Sequence, residues 1–323
     1  MKALAGLITL VALYAVVSVG TIAARDSTAE TIYVLSQDDG ILSVIDPKVD
    51  EITGKIKFPG KPAAFTISSA TGEAFATLPD SGEIAVVDLQ SQKLVRVLKV
   101  GGQPFGIAVR ADGRLFVGDW SANRVSIVDQ TSGDIFAKIA VGRSPAHLVL
   151  TRDGSRVYVA DREANSVAVI DAQRFEVMKE IPVGRAPFAL ALSSDEAQLA
   201  VANVQSATLS VVDTSSLEIL SSPATRAMPY GVAVTHDDAE ILVSNQQSGS
   251  ISIIDAKTHT PRAEIKVGRY PEGVAVLKNG SKAYVANWFS ASVSVLDLKA
   301  NTEIKRISCP EGPRMVLSAS AAP

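Results

Sequence analysis

The side chains best equipped for chemistry in this chain are arginines and aromatics at recurring positions. Val-Gly-Arg occurs three times, ending at Arg143, Arg185 and Arg269, each two residues before a proline. Phe105, Phe188 and Tyr230 directly follow prolines, and Tyr270 directly precedes one. Both tryptophans, Trp120 and Trp288, and also Arg162 stand nine residues before an Asp that closes an apolar run. A guanidinium grips carboxylate or phosphate through a planar fork of N–H bonds. An aromatic ring offers a stacking face to a base or a cation. Together they suit an anionic ligand with a flat ring, or a single-stranded nucleic acid. The competing reading of the arginines is structural: loop support, or salt bridges with Asp119, Asp161 or Glu163 of neighbouring repeats.

Other chemistry is thinly supplied. Cys309 is the sole cysteine, which forbids an internal disulfide, a CxxCH haem attachment and a cysteine-based zinc site. Of three histidines, only His147 falls near the arginine and aromatic positions. Neither GxSxG nor HExxH occurs. No cofactor and no metal are expected, and an enzyme is the less favoured class. With 31 basic against 34 acidic residues, no global charge draws the chain to nucleic acid or lipid.

The positions above belong to a repeat. An apolar alternation ending in Asp recurs at Asp46, Asp88, Asp129, Asp171, Asp213, Asp255 and Asp297, at spacings of 41 or 42 residues. A proline follows each Asp by 16 residues: Pro62, Pro104, Pro145, Pro187, Pro229, Pro271 and Pro313. Each unit holds four short runs with period-two alternation, β-branched enrichment and Gly/Asp/Asn turns. Four-stranded units of this length are propeller blades. The expected fold is all-β: a seven-bladed propeller with four antiparallel strands per blade. The repeat region starts on a second-type strand near Thr31 and ends on a first-type strand, Pro313–Ser318. Three N-terminal strands and one C-terminal strand therefore complete a single blade and close the ring. In such a ring, the loops before first strands and between second and third strands share one face. The arginines and aromatics converge there, around the channel mouth.

Residues 1–24, MKALAGLITLVALYAVVSVGTIAA, carry one charge, Lys2, ahead of an apolar run. This is the pattern of a cleaved signal peptide or an uncleaved membrane anchor. The expected division is 1–24 signal or anchor, 25–30 linker, 31–318 propeller and 319–323 tail. The body is expected outside the cytoplasm, periplasmic or extracellular, as a monomer touching the membrane only through residues 3–24.

Tyr284–Asn287 (YVAN), Tyr158–Asp161 (YVAD), Phe116–Asp119 (FVGD), Ala200–Asn203 (AVAN) and Leu242–Asn245 (LVSN) resemble the signature of YVTN-family β-propeller repeats. Val267–Val276 fits the accompanying VGxxPxGvAV pattern. The plan is similar to that of YncE-like exported propellers, over essentially all of residues 31–318. The resemblance implies the fold. For function it implies several classes: nucleic-acid binding, or a link to quinone- or haem-dependent redox systems. The sequence reading is an exported binding scaffold that holds a protein, a nucleic acid or an anionic small molecule on its channel-mouth face. The alternatives are an enzyme or redox accessory (a lactonase-like hydrolase, or a d1-haem or quinone-linked protein) and a cell-surface adhesive role.

Overall fold

The computed structural model describes residues 30–320; the apolar segment 1–24 and the chain ends at 25–29 and 321–323 lie outside them. Seven four-stranded antiparallel sheets stand around a central channel. Blade four is representative, with strands Pro145–Leu150, Arg156–Asp161, Ser166–Asp171 and Glu176–Pro182 from the channel outward. Its second and third strands are buried almost throughout, while the outer strand alternates exposed and half-buried residues. That follows from geometry. Inner sheets are sandwiched between neighbouring blades, so both faces need apolar side chains. The outermost strand is wetter, and in the blades it carries lysines such as Lys55, Lys99, Lys179 and Lys266. Charged edges of this kind oppose pairing with foreign strands.

Each blade's Asp ends its third strand. Its carboxylate accepts the backbone N–H groups two or three residues on, as Asp171 does from Gln173 and Arg174, both at 2.9 Å. This Asx turn starts the hairpin to the outer strand. These bonds hold the carboxyls of Asp129, Asp171 and Asp255 below the usual range; at Asp213 the Ser215 hydroxyl, with the Ser216 N–H and hydroxyl, brings the carboxyl down to about 2. The repeated Asp is thus a turn residue.

The ring closes in blade one. Pro313–Ser320 takes the channel position and pairs antiparallel with Glu30–Ser36, followed outward by Ile41–Asp46 and Glu51–Lys57. Both closing strands run slightly past the expected limits of 31 and 318, because pairing continues to Glu30 and Ser320. Two elements depart from the repeat. The inner strand of blade two is only Phe65–Ser68, although Ala63 and Ala64 still bond Thr77 through their backbones. The outer strand of blade five is cut to Glu218–Ser221, shortly before Pro223, which has no N–H to donate.

Candidate functional site

Each inner strand runs downward from the mouth. The residues just after the seven prolines form a ring: Ala63, Phe105, Ala146, Phe188, Tyr230, Glu272 and Arg314. All but Glu272 line the channel. Phe188 stacks on Tyr230 with ring centroids 4.0 Å apart, and Phe105 meets Phe188 edge-on at 6.0 Å. Arg314 sits among them. It donates to the Tyr230 hydroxyl at 2.8 Å and to Oε1 of Gln37 at 2.7 Å. Its guanidinium lies 5.4 Å from the Phe105 ring and 5.5 Å from that of Trp288. Nε of Arg314 stands 3.6 Å from Oε2 of Glu272, with the two side chains 11% and 5% exposed.

That ion pair is loose. At 3.6 Å it is too long for a hydrogen bond, and Oε2 of Glu272 is buried without one. Oε1 is served by Gln246 at 2.8 Å. Burial pushes the Glu272 carboxyl up to about 7, against the pull of Arg314 and Gln246. Burial likewise raises the Tyr230 hydroxyl, so it stays protonated.

The expected aromatics therefore meet. Trp120 packs on Phe105 at 4.8 Å, and Trp288 covers Arg314. Tyr270 is different: it lies outside the channel lining and packs at a tilt against Phe289, an exposed aromatic, with centroids 4.7 Å apart. Arg143, Arg185 and Arg269 are exposed, on the rim. Each donates through Nη2 to a backbone carbonyl twenty residues on: Glu163 at 2.9 Å, Gln205 at 3.0 Å and Phe289 at 2.7 Å. No carboxylate pairs with any of the three among the described residues. The inter-repeat salt bridge is thus replaced by a stitch between two loops, and Asp119 pairs instead with Arg124 at 2.9 Å. Arg162 is half-buried, and its charge reaches Tyr230.

The Val-Gly-Arg motif has a structural half. A Cβ on Gly142, Gly184 or Gly268 would approach Asp161, Asn203 or Asn287 to 2.7 Å or less. Those buried residues end the second strands, and the glycine lets the loop lie against them. The asparagines are served by neighbours five and seven residues on: Asn203 by Thr208 and Ser210, Asn287 by Ser292 and Ser294. Asp161 has no such partner.

Arg314 and Glu272 escaped the sequence reading. The signal was present, since both occupy the proline-plus-one ring that already contained Phe105, Phe188 and Tyr230. His147 lies in the channel as expected. Its Nδ1 accepts the Leu190 N–H at 3.3 Å, and burial lowers its pKa to about 4, so the ring is neutral. Burial raises the Cys309 thiol to about 12, which removes it as a nucleophile. No group of three His, Cys, Asp or Glu fit to hold a metal occurs among the described residues. Nor does any described helix have the length and apolarity to cross a membrane.

Fold and site define a seven-bladed propeller closed by its two chain ends, with an arginine-centred aromatic cluster at one channel mouth. A family model for YNCE-like beta-propellers matches residues 51–239, more than half the chain, and the chain belongs to that family. No curated protein sequence matches it. Solved structures share the fold. Kuenenia stuttgartiensis hydrazine synthase superposes with a TM-score of 0.73 at 21% identity, over 81% of this chain and 90% of that one. Dihydro-heme d1 dehydrogenase NirN gives 0.70 at 14% identity, over 92% and 76%. A Bacteroides fragilis protein, provisionally a 6-phosphogluconolactonase, gives 0.78 at 13% identity, over 92% and 99%. At these identities the likeness is one of fold.

Proposed function

We propose that this protein is an exported binding scaffold that holds an anionic partner on its channel-mouth face. The observation that carries this reading is the rim. Arg143, Arg162, Arg185 and Arg269 have no carboxylate partner among the described residues and stand around an aromatic floor. The guanidiniums of Arg143, Arg185 and Arg269 each spend one N–H on a carbonyl and keep others for a phosphate or carboxylate. Export rests on residues 1–24, whose pattern is that of a signal or an anchor. An enzymatic reading draws support from Glu272, a carboxyl raised to about 7 beside the mouth. Haem or lactone chemistry, named for two structural neighbours, has no further support in this chain.

Both tryptophans of the chain sit at this mouth, so intrinsic fluorescence reports on it directly. Titration with oligo-dT and with an oligo-glutamate peptide should change the emission saturably for at least one of them. Affinity should fall steeply as salt rises, because charge neutralisation releases counterions. Changing Arg143, Arg185 and Arg269 together to Ala should weaken binding by about tenfold or more, each lost charge-assisted contact costing roughly 1 kcal/mol. Circular dichroism must show both proteins folded. No emission change with either polyanion, or equal affinity of variant and parent, would overturn the reading.

A further inference from the structure

Beneath the mouth the channel holds a cavity of about 340 Å³. Sites for small organic molecules begin near this size, at roughly 300 Å³. Its wall is mostly apolar, with Val149, Leu192, Val234, Met315 and Leu317 among the lining. We infer that this channel binds a hydrophobic monocarboxylate, its apolar body lying between the inner strands and its carboxylate on Arg314.

The polar lining side chains point to an anionic acceptor. Of the five N–H bonds of Arg314, Tyr230 and Gln37 take two and Nε–H faces Glu272 at 3.6 Å without a hydrogen bond, which leaves two uncommitted. His147 accepts the Leu190 N–H at Nδ1, which places its own proton on Nε2. No described residue bonds Nε2, so the channel is offered a second, uncharged donor. Glu272 does not line the cavity. Its hold on Arg314 is the loose 3.6 Å contact, and burial leaves it part-protonated near neutral pH. The arginine's fork is therefore incompletely hydrogen-bonded from within. Water is a poor tenant of so apolar a wall, since an ordered water needs two to four polar partners. An apolar chain with one anionic end satisfies wall and arginine together.

This inference shares Arg314 with the mouth but does not rest on the rim arginines, so the two proposals fail separately. The test is calorimetric titration of the full chain with sodium octanoate and decanoate below their micellar range, beside 1-octanol and 1-decanol. Decanoate should bind once per chain and at least about tenfold more tightly than 1-decanol, the difference being the charged contact at Arg314. It should bind more tightly than octanoate, because two more methylenes are buried. The double variant Arg314→Gln/Glu272→Gln removes both charges, so no lone buried charge threatens the fold. It should bring acid and alcohol to within about twofold of each other. Absence of saturable binding by decanoate overturns the inference. Equal affinity for acid and alcohol in the parent overturns the carboxylate, as does an unchanged preference in the double variant.

Discussion

A chain ended after Gly312 should fail to hold the propeller. The lost segment contains the inner strand of blade one, which pairs with Glu30–Ser36 over its whole length. It also removes Val316 from the cluster formed with Ile32, Val34, Ile45 and Tyr284 between blades one and seven. Met315 and Leu317 leave the cluster on the other face of the same blade, against Tyr33, Leu35 and Phe65. Three apolar side chains of this size contribute roughly 4–7 kcal/mol by burial alone. Domains are stable by about 5–15 kcal/mol, so the loss approaches the whole. Two further effects run the same way. Glu272 loses its only cation among the described residues, and the freed edge of Glu30–Ser36 exposes its backbone N–H and C=O groups. Thermal melting by circular dichroism, with gel filtration alongside, decides the matter. The expected result is an aggregated chain, or one melting tens of degrees lower. A truncated chain melting within a few degrees of the parent would sink the closure argument.

This closure was legible in the sequence for a definite reason. A strand's alternation, the Asp after the third strand and the proline before the first are each imposed by local geometry. They recur wherever the geometry recurs, so the order of strand types at the two ends of the chain gave the topology. The same logic placed Phe105, Phe188, Tyr230, Trp120 and Trp288 at one mouth. Blade two shows its limit, since Pro62 is present but the strand begins only at Phe65. The chemistry within the mouth was less legible. Arg314 and Glu272 come from adjacent blades whose inner strands lie 42 positions apart, and nothing local obliges an ion pair there. For the rim arginines the sequence left salt bridge and loop support open, because a guanidinium can donate to a carbonyl as well as to a carboxylate. Which oxygen is within reach depends on the path of the neighbouring loop.

Repetition also exposes a blade whose buried acid is mismatched, and here the expected effect is large. Asp161→Asn should raise stability at pH 8 by about 2–4 kcal/mol, and hardly at all at pH 4. Asp161 is fully buried at the end of its strand, where blades five, six and seven carry Asn203, Asn245 and Asn287. Burial pushes its carboxyl from 3.8 up to about 7, and Glu180 adds repulsion; the N–H groups of Gly142 and Ala168 offset only part of this. Neither oxygen has a normal hydrogen bond, and the hydroxyl of Ser166, five residues on, is also unpartnered. The folded form therefore holds a proton that the unfolded chain releases above pH 3.8. Between that value and about 7, stability falls as pH rises; above 7 the penalty is constant, and below 3.8 it is absent. A shift of this size corresponds to about 4 kcal/mol at most, at roughly 1.4 kcal/mol per unit. An amide carries no charge to bury. Its Nδ2 can donate to Ser166 as Asn203 donates to Thr208 at 3.1 Å. Melting curves of parent and variant across pH 4 to 8 should diverge as pH rises, by roughly 5–10 °C at the upper end. Curves that run parallel, or a variant less stable at pH 8, would show that the Asp161 carboxylate is already satisfied in the folded protein. In that case the N–H groups of Gly142, in its loop, and of Ala168, in the third strand, supply the missing bonds, and the mismatch with the asparagine blades is one of residue type alone.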